Sequence, residues 1–258
     1  MCLILLALKA HPRYPFILAS NRDEFRDRRT QPARFWEDCP HVLAGRDCAG
    51  KGTWLGVTDQ GRLACLTNVR DPRAFQADRP SRGGLVSGFL ASDLTPLSFV
   101  DALQTEAYNP FNLILGSFEE LFFFSSRQQE LVGVESGIHG LSNDSLNTDW
   151  PKVVRGKALM ARLLEREEIE PGALMDMLQD RSQPGDQELP DTGVGLELER
   201  FLAPIFICGQ AYGTRSSTVI LVDDQGLVRF RERTHDGLET KKGAPDSGAP
   251  VREFSFSL

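Results

Sequence analysis

The chain is poor in the residues that hold metals and staple small folds. Four histidines are scattered through 258 residues, and the five cysteines, an odd count, include no CxxC pair. That pattern fits neither a disulfide framework nor a structural zinc site. Cys39 and Cys48 with His41 match no zinc spacing, so no metal is expected. Long apolar runs are missing: nothing approaches the ~20 residues of a membrane-spanning helix. The apolar start lacks the basic flank of a secretory signal, so a cytoplasmic protein with no membrane span is expected. Positive charge is also short, with 29 Lys and Arg against 36 Asp and Glu and a net charge of -7. This argues against a nucleic-acid-binding surface and leaves room only for a local basic pocket. Hydrophobic residues at 41% and charged residues at 25% are those of an ordinary globular protein. The length is compatible with one domain over residues 1–258.

Strand signals dominate the first third. Cys2–Leu8 and Phe16–Ser20 flank the turn His11-Pro12-Arg13-Tyr14-Pro15 and predict a hairpin. Trp54–Thr58 and Leu63–Asn68 flank a turn with Gly61 and predict another. Arg70–Gly84 is a polar loop. Leu85–Ala91 and Pro96–Ala107 predict helices, the second capped by Thr95. Asn112–Gly116, Leu121–Ser125 and Glu130–Val134 return to strand, and Gly140-Leu141-Ser142-Asn143 reads as a polar turn. Lys152–Glu167 carries an apolar stripe at helical spacing, and Pro171–Asp180 predicts a shorter helix. Arg181–Gly195 reads as an excursion. Ser217–Val222 and Leu227–Glu232 predict a hairpin, His235–Pro250 a mobile loop, and Arg252–Phe256 a last strand. Hairpin-connected strands interrupted by grouped helices indicate an α+β fold with antiparallel sheets. Two sheets with helices outside suit the strand count.

Cys2 carries the sharpest chemical signal. Removal of Met1 would place a thiol and a free α-amine on one carbon. The amine, with an ordinary pKa of ~7.7–8.0, is partly neutral at cellular pH and can take the thiol proton. As an alternative, Cys2 is a small hydrophobe opening a buried strand. Asn21-Arg22-Asp23-Glu24 ends the strand that pairs with the Cys2 strand and is therefore expected beside Cys2. There Asp23 can orient the amine or thiol, and Arg22 can lower the thiol pKa or bind an anionic group. Trp54, between Gly52 and Gly56, is read as packing a core edge rather than stacking on a ligand. Asn68 at a strand end and Asn143 in a turn are uncharged donors of the kind an oxyanion requires, and each alone also fits a turn. Arg215 precedes an apolar strand, with Asp23 and Glu24 as conceivable partners.

Met1-Cys2, Asn21-Arg22-Asp23-Glu24, Gly52-Thr53-Trp54-Leu55-Gly56, Thr67-Asn68, Gly140-Leu141-Ser142-Asn143 with Trp150-Pro151-Lys152, and Tyr212-Gly213-Thr214-Arg215 with Ser217-Thr218 occur in one order. This set resembles the NRDE family, the family of transport and Golgi organization protein 2, over nearly the whole chain. That family is similar to cysteine N-terminal-nucleophile hydrolases such as the bile-salt and penicillin-V amidases. The resemblance implies a four-layer αββα sandwich of two antiparallel sheets. It also implies catalytic roles for Cys2, Asp23, Asn68, Asn143 and Arg215. The amidases carry an Arg just before their Asn-x-Asp; here that place is Ser20, and Arg22 lies inside the motif.

The expected chemistry is attack of the Cys2 thiolate on an amide or thioester carbonyl. Asn68 and Asn143 would stabilise the oxyanion. Asn21, Arg22, Glu24, Trp54, Arg82 and Lys152 would contact the acyl substrate, and no cofactor would be required. The resemblance equally implies an intracellular carrier binding haem or an acyl-CoA in the same cleft. Arg79, Arg82 and Lys152 would then hold propionates or phosphates, although a solvated loop explains Arg79 and Arg82 as well. An inactive relative serving as an interaction module is the third reading. The oligomeric state is not legible.

Overall fold

The computed structural model describes residues 2–235 and 250–258. Its strands form two antiparallel sheets. The first has six strands in the order β10-β1-β2-β11-β12-β13: β10 Gly137–Leu141, β1 Cys2–Leu8, β2 Phe16–Phe25, β11 Tyr212–Val222, β12 Leu227–Thr234 and β13 Val251–Ser257. The second runs β3 to β9 in chain order: β3 Thr30–Phe35, β4 Val42–Asp47, β5 Leu55–Thr58, β6 Arg62–Asn68, β7 Phe111–Ser117, β8 Leu121–Ser125 and β9 Glu130–Gly133.

Alternation along β1 shows how the layers arise. Ile4, Leu6 and Leu8 point between the sheets and join Leu43, Val57 and Ile114 in one core. Leu3, Leu5 and Ala7 point the other way, against Val153 and Met160 of α3 (Pro151–Leu164) and Leu174 of α4 (Pro171–Met177). Period-2 strands apolar on both faces must be covered on both. The second sheet is covered likewise by Leu85, Val86 and Phe89 of α1 (Gly83–Leu90), with Phe99 of α2 (Pro96–Asp101). The result is the αββα sandwich. Close approach is needed where α3 crosses β1: a Cβ on Gly156 would lie 2.7 Å from the Leu5 side chain.

The expected strands, the Thr95 cap, with Oγ1 accepting from Ser98 N at 3.2 Å, and the Gly61 turn at φ +82° are all present. Four features differ. The polar run from Asn21 to Glu24 does not leave the sheet; β2 continues to Phe25, paired with β1 on one side and β11 on the other. Residues 140–141 are strand rather than turn, because β10 supplies the edge partner of β1. β3 and β4 had no clear signal: β3 holds Pro32 and a register shift between Gln31 and Arg34, tolerable on an edge strand. There the Ala33 N–H donates across the sandwich to Glu232 of β12 at 2.6 Å. The excursion over Arg181–Gly195 is followed by a further helix, α5 (Leu196–Leu202), for which no signal was read. The loop expected over 235–250 lies outside the described residues except for its two ends. No helix among the described residues is long and apolar enough to cross a membrane.

Candidate active site at the start of the first strand

Pairing of β1 with β2 puts Cys2 directly opposite Arg22. Both line a cleft of about 250 Å³ between the two sheets, with Trp54 and Asn68 from the second sheet and the loop 75–83 closing one side. Cys2 is 8% exposed. Burial pushes its thiol up, and Asp23 and Glu24 add to this while Arg22 opposes it.

The motif divides by strand alternation. Arg22 faces between the sheets, with its guanidinium 4.3 Å from the centroid of the Trp54 ring and Nη2 3.6 Å from Glu24 Oε2. Among the described residues Nη1 has no hydrogen-bond partner. Asp23 faces the helices. Thr214 Oγ1 donates to its Oδ1 at 2.7 Å, and the Tyr212 hydroxyl donates to its backbone carbonyl at 3.1 Å. Burial raises the Asp23 pKa; Lys152, the Thr214 hydrogen bond and Arg70 pull against it. Lys152, in the first turn of α3, is itself buried and pushed down to about 8 by desolvation, with Asp23 as the strongest opposing charge. Arg70, 4.7 Å from the Trp150 ring centroid, extends this buried charge group to Glu199 at 2.5 Å.

Several expected site residues sit elsewhere or do another job. Asn21 is fully buried on the helix side and does not touch the cleft. Its Nδ2 donates to the carbonyls of Leu178 (2.8 Å) and Ile205 (2.9 Å), and its Oδ1 accepts from Ser217 at 2.6 Å. Arg215 sits at a register shift in β11, so its guanidinium turns away from the Cys2 side. It donates to the carbonyls of Phe25 (2.8 Å) and Arg26 (2.9 Å), and Thr214 instead meets Asp23. Lys152 lies behind Asp23 rather than among the residues that line the cleft. Asn143 Nδ2 donates to the backbone carbonyl of Asn68 at 2.8 Å, so this amide orients the Asn68 corner. Ser142 Oγ, between them, reaches the Cys2 carbonyl at 3.3 Å. Trp54 is both things the sequence allowed: part of the inter-sheet core and a wall of the cleft.

Arg79 and Arg82 both line the cleft. Arg82 Nη1 donates to the Pro110 carbonyl at 3.0 Å, and burial lowers its pKa to about 10. Gly52 allows this wall to form, because a Cβ there would lie 2.3 Å from the backbone of Gly83 at the start of α1. Sequence reasoning missed Arg28 and Asp47. Arg28 Nη2 pairs with Asp47 Oδ2 at 2.7 Å, and Arg28 Nε lies 3.8 Å from Glu24. No local signal points to them, because Arg28 lies in the turn after β2 and its partner Asp47 is on another strand.

This geometry can be set beside known proteins. Residues 1–237 match the family model described as Transport and Golgi organisation 2. The chain belongs to that family. It is 36% identical over 257 residues to the Transport and Golgi organization 2 homolog of Mus musculus, covering 91% of this chain and 93% of that protein. The Drosophila melanogaster member is 28% identical over 273 residues, covering 93% and 94%. Among solved structures, the Caenorhabditis elegans ortholog of N-acylethanolamine-hydrolyzing acid amidase superposes with a TM-score of 0.52 at 13% identity, covering 86% of this chain and 92% of that one. A mutant conjugated bile acid hydrolase from Clostridium perfringens superposes with a TM-score of 0.51 at 8% identity, covering 100% and 97%. At such low identity the likeness is one of fold, and the fold is that of the N-terminal-nucleophile hydrolases.

Proposed function

We propose that the chain is a cysteine N-terminal-nucleophile hydrolase acting on an amide or thioester. The observation that supports this is the meeting of Cys2, Arg22 and Asn68 at one cleft, with Asp23 the next residue on the strand paired with Cys2. Removal of Met1 would free the Cys2 α-amine, which takes the thiol proton as the sulfur attacks the acyl carbonyl and returns it to the leaving group. Asp23, whose charged form Lys152 and the Thr214 hydrogen bond favour against burial, holds that amine. The Asn68 amide stabilises the oxyanion, and Asn143 fixes the Asn68 backbone. Loss of one such donor costs ~10²–10³ in rate.

One observation favours a second reading. A buried thiol whose pKa is raised is poorly primed. A carrier that binds haem or an acyl-CoA in this cleft needs no nucleophile, and the cleft arginines supply partners for propionates or phosphates.

Intact mass and thiol labelling across pH, followed by an amide and thioester screen, separate the two. The hydrolase loses Met1, labels first at Cys2, and loses all turnover in Cys2→Ala while keeping its melting temperature. Retained Met1, or turnover that survives Cys2→Ala, would overturn the hydrolase. A haem Soret shift or saturable acyl-CoA binding in its place would establish the carrier.

A further inference from the structure

The molecule carries a net charge of -7, yet its cleft gathers four guanidinium groups, Arg22, Arg28, Arg79 and Arg82, against the carboxylates of Glu24 and Asp47. Three of the four are already engaged with protein oxygens. Arg28 holds Asp47, Arg79 donates to the Tyr108 carbonyl, and Arg82 donates to the Pro110 carbonyl. Arg22 is different. It is 5% exposed, stacked on Trp54, and under-coordinated: Nη2 has only a 3.6 Å contact with Glu24, and Nη1 has no hydrogen-bond partner among the described residues. A buried guanidinium left with an unmade bond carries a desolvation cost that an incoming anion removes.

The position of Arg22 says where that anion sits. Residues directly opposite on antiparallel strands have Cβ atoms ~4.5–5.5 Å apart, so the guanidinium and the Cys2 sulfur flank the same few atoms of any ligand. We infer that the cleft takes acyl compounds bearing a carboxylate or similar anion close to the carbonyl that Cys2 attacks, with Arg22 as the residue that selects them. A long substrate whose charges lie far from the acyl carbon does not use this contact. The exposed ring of Phe75, on the cleft rim, is left for an apolar end. Glu24, beside both Arg22 and Arg28, competes with the ligand for these cations.

This inference rests on Cys2 being the reacting group, and its test needs no knowledge of the substrate. The Cys2 thiolate displaces iodide from the α-carbon of iodoacetate and of iodoacetamide alike, and the two reagents differ in charge. The ratio of their rates at one thiol cancels the thiolate fraction. At Cys2 that ratio is expected to exceed the ratio at exposed Cys208 of the same chain by tenfold or more, and to saturate with iodoacetate. Arg22→Gln should return it to the Cys208 value, and Glu24→Gln should raise it. Equal ratios at Cys2 and Cys208, with Cys2 reactive, overturn the inference and leave the hydrolase standing. If Cys2 is inert to both reagents, the hydrolase fails. Titration with N-acetylglycine, read by calorimetry, then decides the anion site. Saturation lost in Arg22→Gln retains the site, and no response in the wild-type chain overturns it as well.

Discussion

Asn21 and Arg22 are neighbours in one strand, both buried, and in opposite chemical conditions. Asn21 has both ends of its amide satisfied by three protein partners, tying β2 to β11, to the end of α4 and to the segment before β11. Arg22 keeps a donor with no hydrogen-bond partner among the described residues and lies against the cleft. Native proteins satisfy nearly all buried polar groups, so the satisfied residue reads as architecture and the unsatisfied one as function. A strand that buries four polar residues in succession can do so only because its two faces divide these roles.

Asn21→Ala tests the architectural side and has the largest expected effect on stability. It strips two carbonyls and one hydroxyl of a buried partner, so a loss on the order of 3 kcal/mol in urea unfolding is expected. Arg22→Met removes a poorly compensated buried charge and should change stability by less than about 1 kcal/mol, in either direction. Equal losses in the two variants would erase the distinction.

A second contrast lies between two buried acids. Asp23 has Lys152 and Arg70 nearby, whereas Glu232 is held mainly by the Ala33 N–H and the Thr218 hydroxyl, with only a weaker pull from Arg22. Burial accordingly raises Glu232 to about 7. Between its ordinary value near ~4.3 and that raised value, the folded state binds more protons than the unfolded one. Stability from this group is therefore greatest below pH ~4 and falls by ~3 kcal/mol as pH rises through 7. Lys152 has the opposite window. Its pKa, lowered to about 8, makes stability rise as pH climbs from 8 towards ~10.4. Glu232→Gln should flatten the lower window and leave the upper one. A lower window unchanged in that variant would show that the carboxylate is not the source.

Much of this was legible in the sequence because it rests on local periodicity. The β1–β2 hairpin, the capped α2, the α3 stripe and the Gly61 turn each announce themselves within a dozen residues. The pairing of the first two strands also placed Arg22 beside Cys2. What was illegible depends on partners far along the chain. Nothing near Asn21 says that its amide will meet Leu178 and Ile205. Nothing near Arg215 says that a register shift will turn it onto the carbonyls of Phe25 and Arg26 and leave Thr214 facing Asp23. Asn21 was read as a substrate contact and Arg215 as a site residue because their partners are distant in sequence, and β3 was missed because an edge strand tolerates the Pro and bulge that normally exclude strand.

The Thr214–Asp23 contact gives the smallest and most selective test. Thr214 Oγ1 donates to Asp23 at 2.7 Å and accepts the Ile207 N–H at 2.9 Å. Thr214→Val keeps the shape and removes both bonds, for an expected loss of ~1–2 kcal/mol. The hydrogen bond favours the charged carboxylate, so its removal pushes the Asp23 pKa further up. If Asp23 acts on the Cys2 amine as a charge, the acid limb of Cys2 alkylation should move to higher pH in Thr214→Val, while Ser217→Ala, on the Asn21 side, should leave it in place. A limb that moves equally in both variants would mean that Asn21 and Asp23, which share one face of β2, are coupled through packing, and that Asp23 belongs to the architecture with Asn21.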